Sequence, residues 1–289
     1  MVNHKGISVN HLEHLISILQ AAPVGDNCFI ADPGQGGHRI YGGLIVAQAM
    51  DAARQSCPQA YVIQSLHAQF LRPGDYGHSI EIEVQVLKDG RRFKLYNVYC
   101  RQQGKVIFFA TITFHLPEAG FEHILPPPCL KLPSEYTAHF YHRRDQRFTF
   151  EELDGSSTAL EVRMNEQTDF FSVQKPEASS WYKTAARSKM TDWQHTLLLA
   201  YVSDWNMPSV AMRAHAVEED RQPVLASLDH AIWFYHQADL HDWVVYLQDS
   251  PAAQNSRGHT RGLIYSHRGD LLACVNQESF LSSRKRKTS

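Results

Sequence analysis

The chain has 289 residues and a mass of 32.9 kDa, the length of about two ordinary domains. Hydrophobic residues make up 43% and charged residues 20%, and 28 Lys and Arg against 30 Asp and Glu give a formal net charge of −2. This composition excludes a disordered chain, a small disulfide-stapled scaffold and a strongly basic nucleic-acid-binding protein. No apolar run approaches the ~20 residues of a membrane-spanning helix, and the first residues lack the apolar core of a signal peptide. We therefore expect a cytoplasmic protein with no membrane span and no nucleic-acid partner.

The cysteine and histidine patterns do not indicate a metal site. The five cysteines are widely spaced and form no Cys-x-x-Cys pair, so free thiols in a reducing compartment fit best. The 17 histidines are scattered, apart from two pairs at spacing i, i+3, His11 with His14 and His139 with His142. That spacing would place two imidazoles on one helical face, but no Cys or carboxylate partner is evident nearby. We expect neither a metal nor a cofactor.

The first part of the chain has one helix pattern followed by strand patterns. Residues 42–53 are almost entirely apolar, which predicts a helix with no face in contact with water. Residues 61–71 follow, and residues 80–86 alternate strictly between apolar and polar, which is typical of a strand with one buried face. Turn signals at 89–90 and 103–105 separate two further strands, predicted at 93–99 and 106–114. This order predicts an α+β unit in which an antiparallel meander curls around a central helix.

A proline-rich stretch divides the chain. Residues 117–133 include three consecutive prolines at 126–128 and can sustain neither a helix nor a strand ladder. Residues 133–155 are polar, and their pattern predicts a helical connector. We therefore predict an N-terminal unit at 1–118, a Pro-rich and polar connector at 119–158, and a C-terminal unit at 159–289 that ends in a solvated basic tail at 284–287.

The second half repeats the first. Residues 191–203 have a helix pattern, and residues 225–234 correspond to 63–70 with a Ser-Leu offset of 227 − 65 = 162. Further strands are predicted at 243–247, 259–265 and 271–277. Two sheets of this kind can join edge to edge, because each alone would leave an exposed edge strand. The chain is thus expected to have a pseudo-twofold axis, and a site between the copies would draw residues from both.

The repeat singles out Asp229, which stands where the first copy has His67. Asp229 and His230 are neighbours on a strand and must point to opposite faces, so they cannot form a catalytic pair. A carboxylate among apolar residues would have a raised pKa and suits a general base. The alternative is a carboxylate bonded by backbone amides at a strand edge, and the pattern alone does not decide between the two.

Other candidate motifs are weak on their own. The glycines at 34, 36 and 37 match neither phosphate-loop nor dinucleotide-loop spacing, whereas Gly42 and Gly43 could present helix N-terminal amides to a substrate carbonyl. No Gly-x-Ser-x-Gly nucleophile motif occurs. Ser250 precedes a proline, as a turn-initiating serine does, and Gln277 lies near the end of an apolar strand pattern.

Several segments together carry a family resemblance. They are Tyr-Gly-Gly-Leu-Ile-Val-Ala-Gln-Ala at 41–49, Phe-Leu-Arg-Pro-Gly-Asp at 70–75, Pro-Glu-Ala-Gly-Phe-Glu-His at 117–123, Ser-Leu-Asp-His-Ala-Ile-Trp-Phe at 227–234, Asp-Ser-Pro at 249–251 with Ser-Arg-Gly at 256–258, and Val-Asn-Gln-Glu at 275–278. In this order they resemble the acyl-CoA thioesterase II family. The resemblance implies two hotdog units in one chain, with their antiparallel sheets joined into one.

The resemblance also implies a site and a reaction. An Asp, a Ser or Thr and a Gln of the second unit would activate water for direct attack on the thioester of acyl-CoA, and by motif they fall on Asp229, Ser250 and Gln277. Substrate binding would involve Gly42, Gly43 and His67, with the acyl chain along the 42–53 helix. A homo-oligomer, dimer or tetramer, is expected. The alternatives are a hotdog hydratase or dehydratase, with His67 and Asp229 as acid and base, and a non-catalytic acyl-CoA-binding module.

Overall fold

A computed structural model describes residues 4–35, 39–144, 147–151, 159–165 and 168–286. Its helices are α1 (His4–Ile18), α2 (Gly42–Gln55), α3 (Asp192–Ser203) and α4 (Met207–Met212), with one 3₁₀ turn at Pro133–Glu135. Its strands are β1 (Ala21–Gly25), β2 (Cys28–Ala31), β3 (Val62–Phe70), β4 (Ile80–Asp89), β5 (Phe93–Gln102), β6 (Lys105–His115), β7 (Thr137–Arg144), β8 (Arg147–Glu151), β9 (Leu160–Met164), β10 (Glu177–Thr184), β11 (Arg221–Ser227), β12 (Asp229–Phe234), β13 (Val244–Gln254), β14 (Arg257–Ser266) and β15 (Leu271–Lys285).

The first unit is an antiparallel sheet in the order β1-β2-β4-β5-β6-β3, packed on α2. Helix α2 is buried along almost its whole length, from Gly43 to Ala53, as its apolar composition predicts. The three strands predicted at 80–86, 93–99 and 106–114 are confirmed as β4 to β6, within a few residues at each end, and residues 61–71 contain β3. The alternation of β4 follows from its position over α2, because Ile80, Ile82 and Val84 are buried there.

The second unit follows the same plan in the order β12-β15-β14-β13-β10-β9-β7, with β8 beyond β7 and β11 also paired with β15. Helix α3 takes the place of α2, and its start is fixed by a capping box between Thr191 and Gln194. Its apolar side chains, Leu197, Leu198 and Leu199 among them, are buried in the common core. The predicted helix at 191–203 and the predicted repeat are confirmed.

The two units share one continuous sheet. Strands β3 and β12 pair antiparallel, from Gln69 opposite Asp229 to Ser65 opposite Trp233, so that the described strands form a single 15-stranded sheet. Helices α2 and α3 lie against each other over this junction. The strand order reads almost the same from either end, which is the pseudo-twofold arrangement expected from the internal repeat.

The predicted helical connector is wrong. After the 3₁₀ turn at Pro133–Glu135 the chain forms β7 and β8, which extend the sheet beyond β9, so His139 and His142 lie on a strand. Aromatic residues and threonine in these segments favour strands, whereas polarity alone does not distinguish a helix from a hairpin. Residues 117–132 form neither helix nor strand, as their prolines predict. Residues 152–158 of the predicted connector lie outside the described residues.

The structure describes part of the predicted basic tail at 284–287. Arg284 and Lys285 of the predicted basic tail belong to β15, where Lys285 pairs with Arg221 of β11. Lys287 lies outside the described residues.

Over the described ranges, no helix combines the length and the apolar character that crossing a membrane requires.

Candidate active site

Asp204 lies where α3 of the second unit meets α2 of the first. It caps the C-terminus of α3, and its Oδ2 accepts a 3.0 Å hydrogen bond from the backbone N–H of Gly43. The contact requires glycine on α2, because a Cβ at Gly42 would lie 2.6 Å from Asp204 Oδ2 and a Cβ at Gly43 would lie 2.2 Å from the Tyr201 carbonyl oxygen. The paired glycines therefore let the start of α2 approach this carboxyl group closely.

The environment of Asp204 suits a general base. Burial raises its pKa from 3.8 to about 7, and hydrogen bonds from Gly43, Ser227 and Gln277 oppose part of that rise. The amides at the start of α2 carry a partial positive charge, which also favours the ionised carboxylate. A carboxyl group with a pKa close to neutral can take up a proton in one step and release it in the next.

Two further side chains complete this cluster. Gln277 of β15 is fully buried, and its Nε2 donates to Ser227 Oγ at 2.9 Å. Ser227, the last residue of β11, in turn donates to Asp204 Oδ1 at 3.4 Å. Asp204, Ser227 and Gln277 thus form a closed arrangement of one carboxyl, one hydroxyl and one amide beside the N-terminus of α2.

A histidine lies directly behind Gln277. His230 is buried, with its Nδ1 2.8 Å from Gln277 Oε1 and its Nε2 2.9 Å from Ser203 Oγ. Burial lowers the pKa of His230 to about 4, and the hydrogen bond with Gln277 only partly offsets this effect. The ring is therefore neutral at physiological pH. His230, and not Asp229, is the member of the adjacent pair that faces the helices.

The structure does not bring Asp229 and Ser250 into this cluster. Asp229 Oδ1 accepts a 2.7 Å hydrogen bond from the backbone N–H of Glu278, which is the strand-edge arrangement considered as the alternative from sequence. Ser250 lies on β13 beside a register shift, and its hydroxyl donates to the His259 carbonyl oxygen at 2.6 Å. Of the three residues carried over by motif, only Gln277 lies beside the buried carboxyl group.

Two of the three residues expected to bind substrate lie at the cluster, and the third does not. Gly42 and Gly43 lie at the cluster, at the start of α2. His67 is exposed on the opposite side of the sheet, where its ring meets the ring of Trp233 edge-on at a centroid distance of 5.0 Å.

Sequence reasoning missed Asp204, Ser227 and His230, although the repeat contained a signal. At the offset of 162, Ser227 corresponds to Ser65 and His230 to Ala68 (230 − 68 = 162). Ala68 is buried, so a histidine at the equivalent position changes an apolar inward residue into a polar one. The divergence between His67 and Asp229 concerns the opposite face of the sheet.

A cleft opens next to the cluster. It has a volume of about 140 Å³, and Tyr41, Leu44, Tyr201 and Trp205 line it together with Ile18, Gly34, Gln35 and Tyr76. Tyr41 donates to the Tyr201 carbonyl oxygen at 2.9 Å and so ties the two units together at the cleft wall. Within the described ranges, no group of three or more His, Cys, Asp or Glu side chains is arranged to hold a metal ion.

Comparison with known proteins identifies the family. A family model described as acyl-CoA thioesterase matches residues 150–280, and one described as acyl-CoA thioesterase N-terminal domain matches residues 30–115. Acyl-CoA thioesterase 2 of Haemophilus influenzae is 32% identical over 278 residues, covering 93% of this chain and 97% of that protein. The crystal structure of an acyl-CoA thioesterase II from Mycobacterium marinum is similar with a TM-score of 0.77 and 26% identity, covering 94% of this chain and 99% of that one.

The hotdog fold is confirmed as well. A protein of unknown function from Alicyclobacillus acidocaldarius, described as having this fold, shares it with a TM-score of 0.72 at 17% identity, covering 93% of this chain and 98% of that one. The architecture is therefore that of a double-hotdog hydrolase. The chain belongs to the acyl-CoA thioesterase II family and is an acyl-CoA thioester hydrolase. Membership of this family favours hydrolysis over the hydratase and binding-module alternatives.

Proposed function

We propose that this enzyme hydrolyses acyl-CoA by direct attack of a water molecule that Asp204, Ser227 and Gln277 bind and activate. The observation that carries the proposal is the buried Asp204 carboxyl group, with its pKa near 7 and with Ser227 and Gln277 as hydrogen-bond partners. The set implied by the family resemblance, Asp229 and Ser250 with Gln277, stays a prediction that the same assay tests.

The chemistry requires a base and donors but no covalent intermediate. Asp204 takes a proton from water as the water oxygen attacks the thioester carbonyl carbon, and the carbonyl π electrons move to oxygen. When the tetrahedral intermediate collapses, the carbon–sulfur bond breaks and the proton held by Asp204 passes to the departing thiolate. The products are a carboxylic acid and free CoA. Ser227 and Gln277 hold the water in line with the carboxylate by hydrogen bonds.

The N-terminus of α2 supplies a site for the developing oxyanion. The first amides of a helix have no acceptor within the helix, and they carry the positive end of the helix dipole. Gly42 opens α2, and a Cβ there would lie 2.6 Å from Asp204 Oδ2, so glycine lets the first amides of the helix lie close to the carboxyl group. Donors held in place where negative charge develops contribute strongly to catalysis, because they need no rearrangement during the reaction.

The acyl chain would occupy the cleft beside the cluster. Leu44, Tyr41 and Trp205 give it a largely apolar wall, and the cleft reaches the start of α2, where the thioester would lie. With the acyl chain in this cleft, the thioester would lie at the start of α2, close to Asp204. This arrangement places the CoA portion toward solvent.

We further propose that the enzyme acts in the cytoplasm, in lipid metabolism, as a homo-oligomer. All five cysteines are free thiols, as expected for a reducing compartment. Large apolar side chains are exposed on strands of the sheet, including Val62, Val86 and Phe93, and burial of such surface between copies would be favourable. Size-exclusion chromatography with light scattering measures the number of subunits.

The test is release of free thiol from acyl-CoAs of increasing chain length. The proposal predicts that Asp204→Asn loses at least about 100-fold in kcat and that Ser227→Ala and Gln277→Ala lose at least about tenfold. Asp229→Asn and Ser250→Ala are run beside them as matched substitutions and are expected to stay within about threefold of wild type. Full turnover by Asp204→Asn, or collapse of turnover in Asp229→Asn alone, would overturn this assignment.

A further inference from the structure

The side-chain amide of Gln277 can fit the site in two orientations, and only one of them serves the proposed reaction. To donate to Ser227 and Asp204, the amide must present Nε2 and not Oε1, although the two ends are nearly the same size and differ by a half-turn about one bond. The reversed amide would point its oxygen at the Asp204 carboxylate and leave the water without a donor. Some neighbouring group has to favour one orientation over the other.

His230 is the side chain that touches the other end of the amide. Its Nδ1 lies 2.8 Å from Gln277 Oε1, and Gln277 and His230 are both buried. An amide oxygen only accepts hydrogen bonds, so the ring nitrogen facing it has to carry a proton. A protonated Nδ1 therefore holds Oε1 on the histidine side and Nε2 on the side of Ser227 and Asp204.

Ser203 lies at the opposite ring nitrogen. Its hydroxyl lies 2.9 Å from His230 Nε2 and 2.7 Å from the Ala200 carbonyl oxygen, so its single proton has two acceptors in reach. In a neutral ring only one nitrogen carries the proton, so a proton on Nδ1 leaves Nε2 as an acceptor facing the Ser203 hydroxyl. The chain Ser203–His230–Gln277 thus runs from the last residue of α3 to the site.

We propose that His230 is a positioning residue of the active site, which acts through Gln277 by fixing the end of the amide that faces Asp204 and Ser227. The inference rests on the proposed function, since it concerns how the water-binding donor is oriented. It extends the function by assigning a role to a buried histidine that does not touch the reacting atoms.

The shapes of asparagine and glutamine allow this role to be separated from a structural one. The amide nitrogen of Asn can occupy the place of histidine Nδ1, whereas that of Gln reaches the place of Nε2. We expect His230→Leu to lose at least about tenfold in kcat with KM within about threefold of wild type. His230→Asn should recover most of that loss, and His230→Gln should remain near the leucine variant.

A buried histidine elsewhere on α3 provides the matched control. His195 is buried and accepts a 3.1 Å hydrogen bond from the Leu240 N–H, and it lies nine residues from Asp204, about 13 Å along the helix. His195→Asn should lower thermal stability without changing kcat. A folded His230→Leu variant with wild-type kcat would overturn the inference, and so would recovery by Gln in place of Asn.

A spectroscopic readout keeps the inference testable if the leucine variant does not fold. In wild-type protein with ¹⁵N-labelled histidine, the signal absent from His230→Asn should be that of a neutral ring protonated at Nδ1. A ring protonated at Nε2 would overturn the inference. Full turnover by Asp204→Asn would instead overturn the proposed function and leave the tautomer result unaffected, so the two failures are distinguishable.

Discussion

The carboxyl group of Asp204, at the end of α3, accepts a 3.0 Å hydrogen bond from the backbone N–H of Gly43, in the first turn of α2. The two residues belong to different hotdog units and are 161 positions apart in sequence. The candidate active site therefore exists only where the two units meet. The proposed general base comes from one unit, and the helix N-terminus that faces it comes from the other.

The raised pKa of Asp204 sets the pH dependence expected of the reaction. A general base must be ionised, so kcat/KM should rise with pH through the value of about 7 and then level off. The measurement is kcat/KM between pH 5 and pH 9 with a saturable acyl-CoA. A rate that stays constant down to pH 5 would contradict the assignment of Asp204 as the base.

The same carboxyl group should lower stability where it is ionised. Because its folded-state pKa is raised from 3.8 to about 7, the folded state binds more protons than the unfolded state between these values, and stability falls as pH rises through this range. Asp204→Asn removes this effect and keeps an acceptor for the Gly43 N–H. We expect the stability advantage of the variant to grow by about 2 kcal/mol or more between pH 5 and pH 8.

Urea unfolding of wild type and Asp204→Asn at both pH values measures this difference. Other groups, such as buried His230, titrate in both proteins and cancel in the comparison. An advantage that is equal at pH 5 and pH 8, or larger at pH 5, would show that Asp204 is ionised more easily than its burial indicates.

Gly43→Ala should affect stability and activity together. The added Cβ would lie 2.2 Å from the Tyr201 carbonyl oxygen and 2.6 Å from the ring of Tyr41, so α2 and α3 must move apart. We expect a stability loss of about 1–3 kcal/mol and at least about tenfold lower kcat/KM. Gly120→Ala is the control, because a Cβ there meets nothing within 4 Å. Unchanged kcat/KM in a folded Gly43→Ala variant would contradict the site.

The position related to the site by the pseudo-twofold axis is filled. Helices α2 and α3 begin 192 − 42 = 150 residues apart, so Trp193 stands where the other copy has Gly43. The Trp193 indole N–H donates to buried Asp51 at 2.8 Å, and Arg54 lies over the same ring. This counterpart position therefore has an indole-to-carboxyl hydrogen bond where the candidate site has a glycine amide-to-carboxyl hydrogen bond.

Trp193→Phe should therefore separate stability from catalysis. The substitution removes a donor from the buried Asp51 carboxyl group and is expected to cost about 1–3 kcal/mol. Turnover should be unchanged, because the active site lies at the other ends of α2 and α3. Thermal unfolding and steady-state kinetics on the same samples measure both quantities, and lower kcat at full stability would contradict this division.

The fold could be predicted further from sequence than the site. Continuous apolar composition located α2, and hydrophobic patterns located α3, strands β4 to β6 and strands β12 to β15, because each of these elements buries a set of apolar residues. The hairpin of β7 and β8 was not predicted, because polar strands at the edge of a sheet have no regular set of buried apolar residues. Gln277 was found through its motif, whereas Asp204 follows a helix and becomes a site residue only through packing of α3 on α2. Asp229 drew attention because it interrupts an apolar pattern, but its side of the strand faces away from the helices.

Because β3 and β12 join the two units in one chain, substitutions in the two units should affect catalysis and folding differently. A dimer of identical units would have two equivalent catalytic corners, and any change would alter both. Here the copies are covalently linked and free to differ. One junction of α2 with α3 retains Gly43 and Asp204, whereas its counterpart is occupied by Trp193 and Arg54, both partly buried, and by buried Asp51. Most of the first copy is then scaffold, whose variants lower the amount of folded enzyme and leave the rate per folded molecule intact.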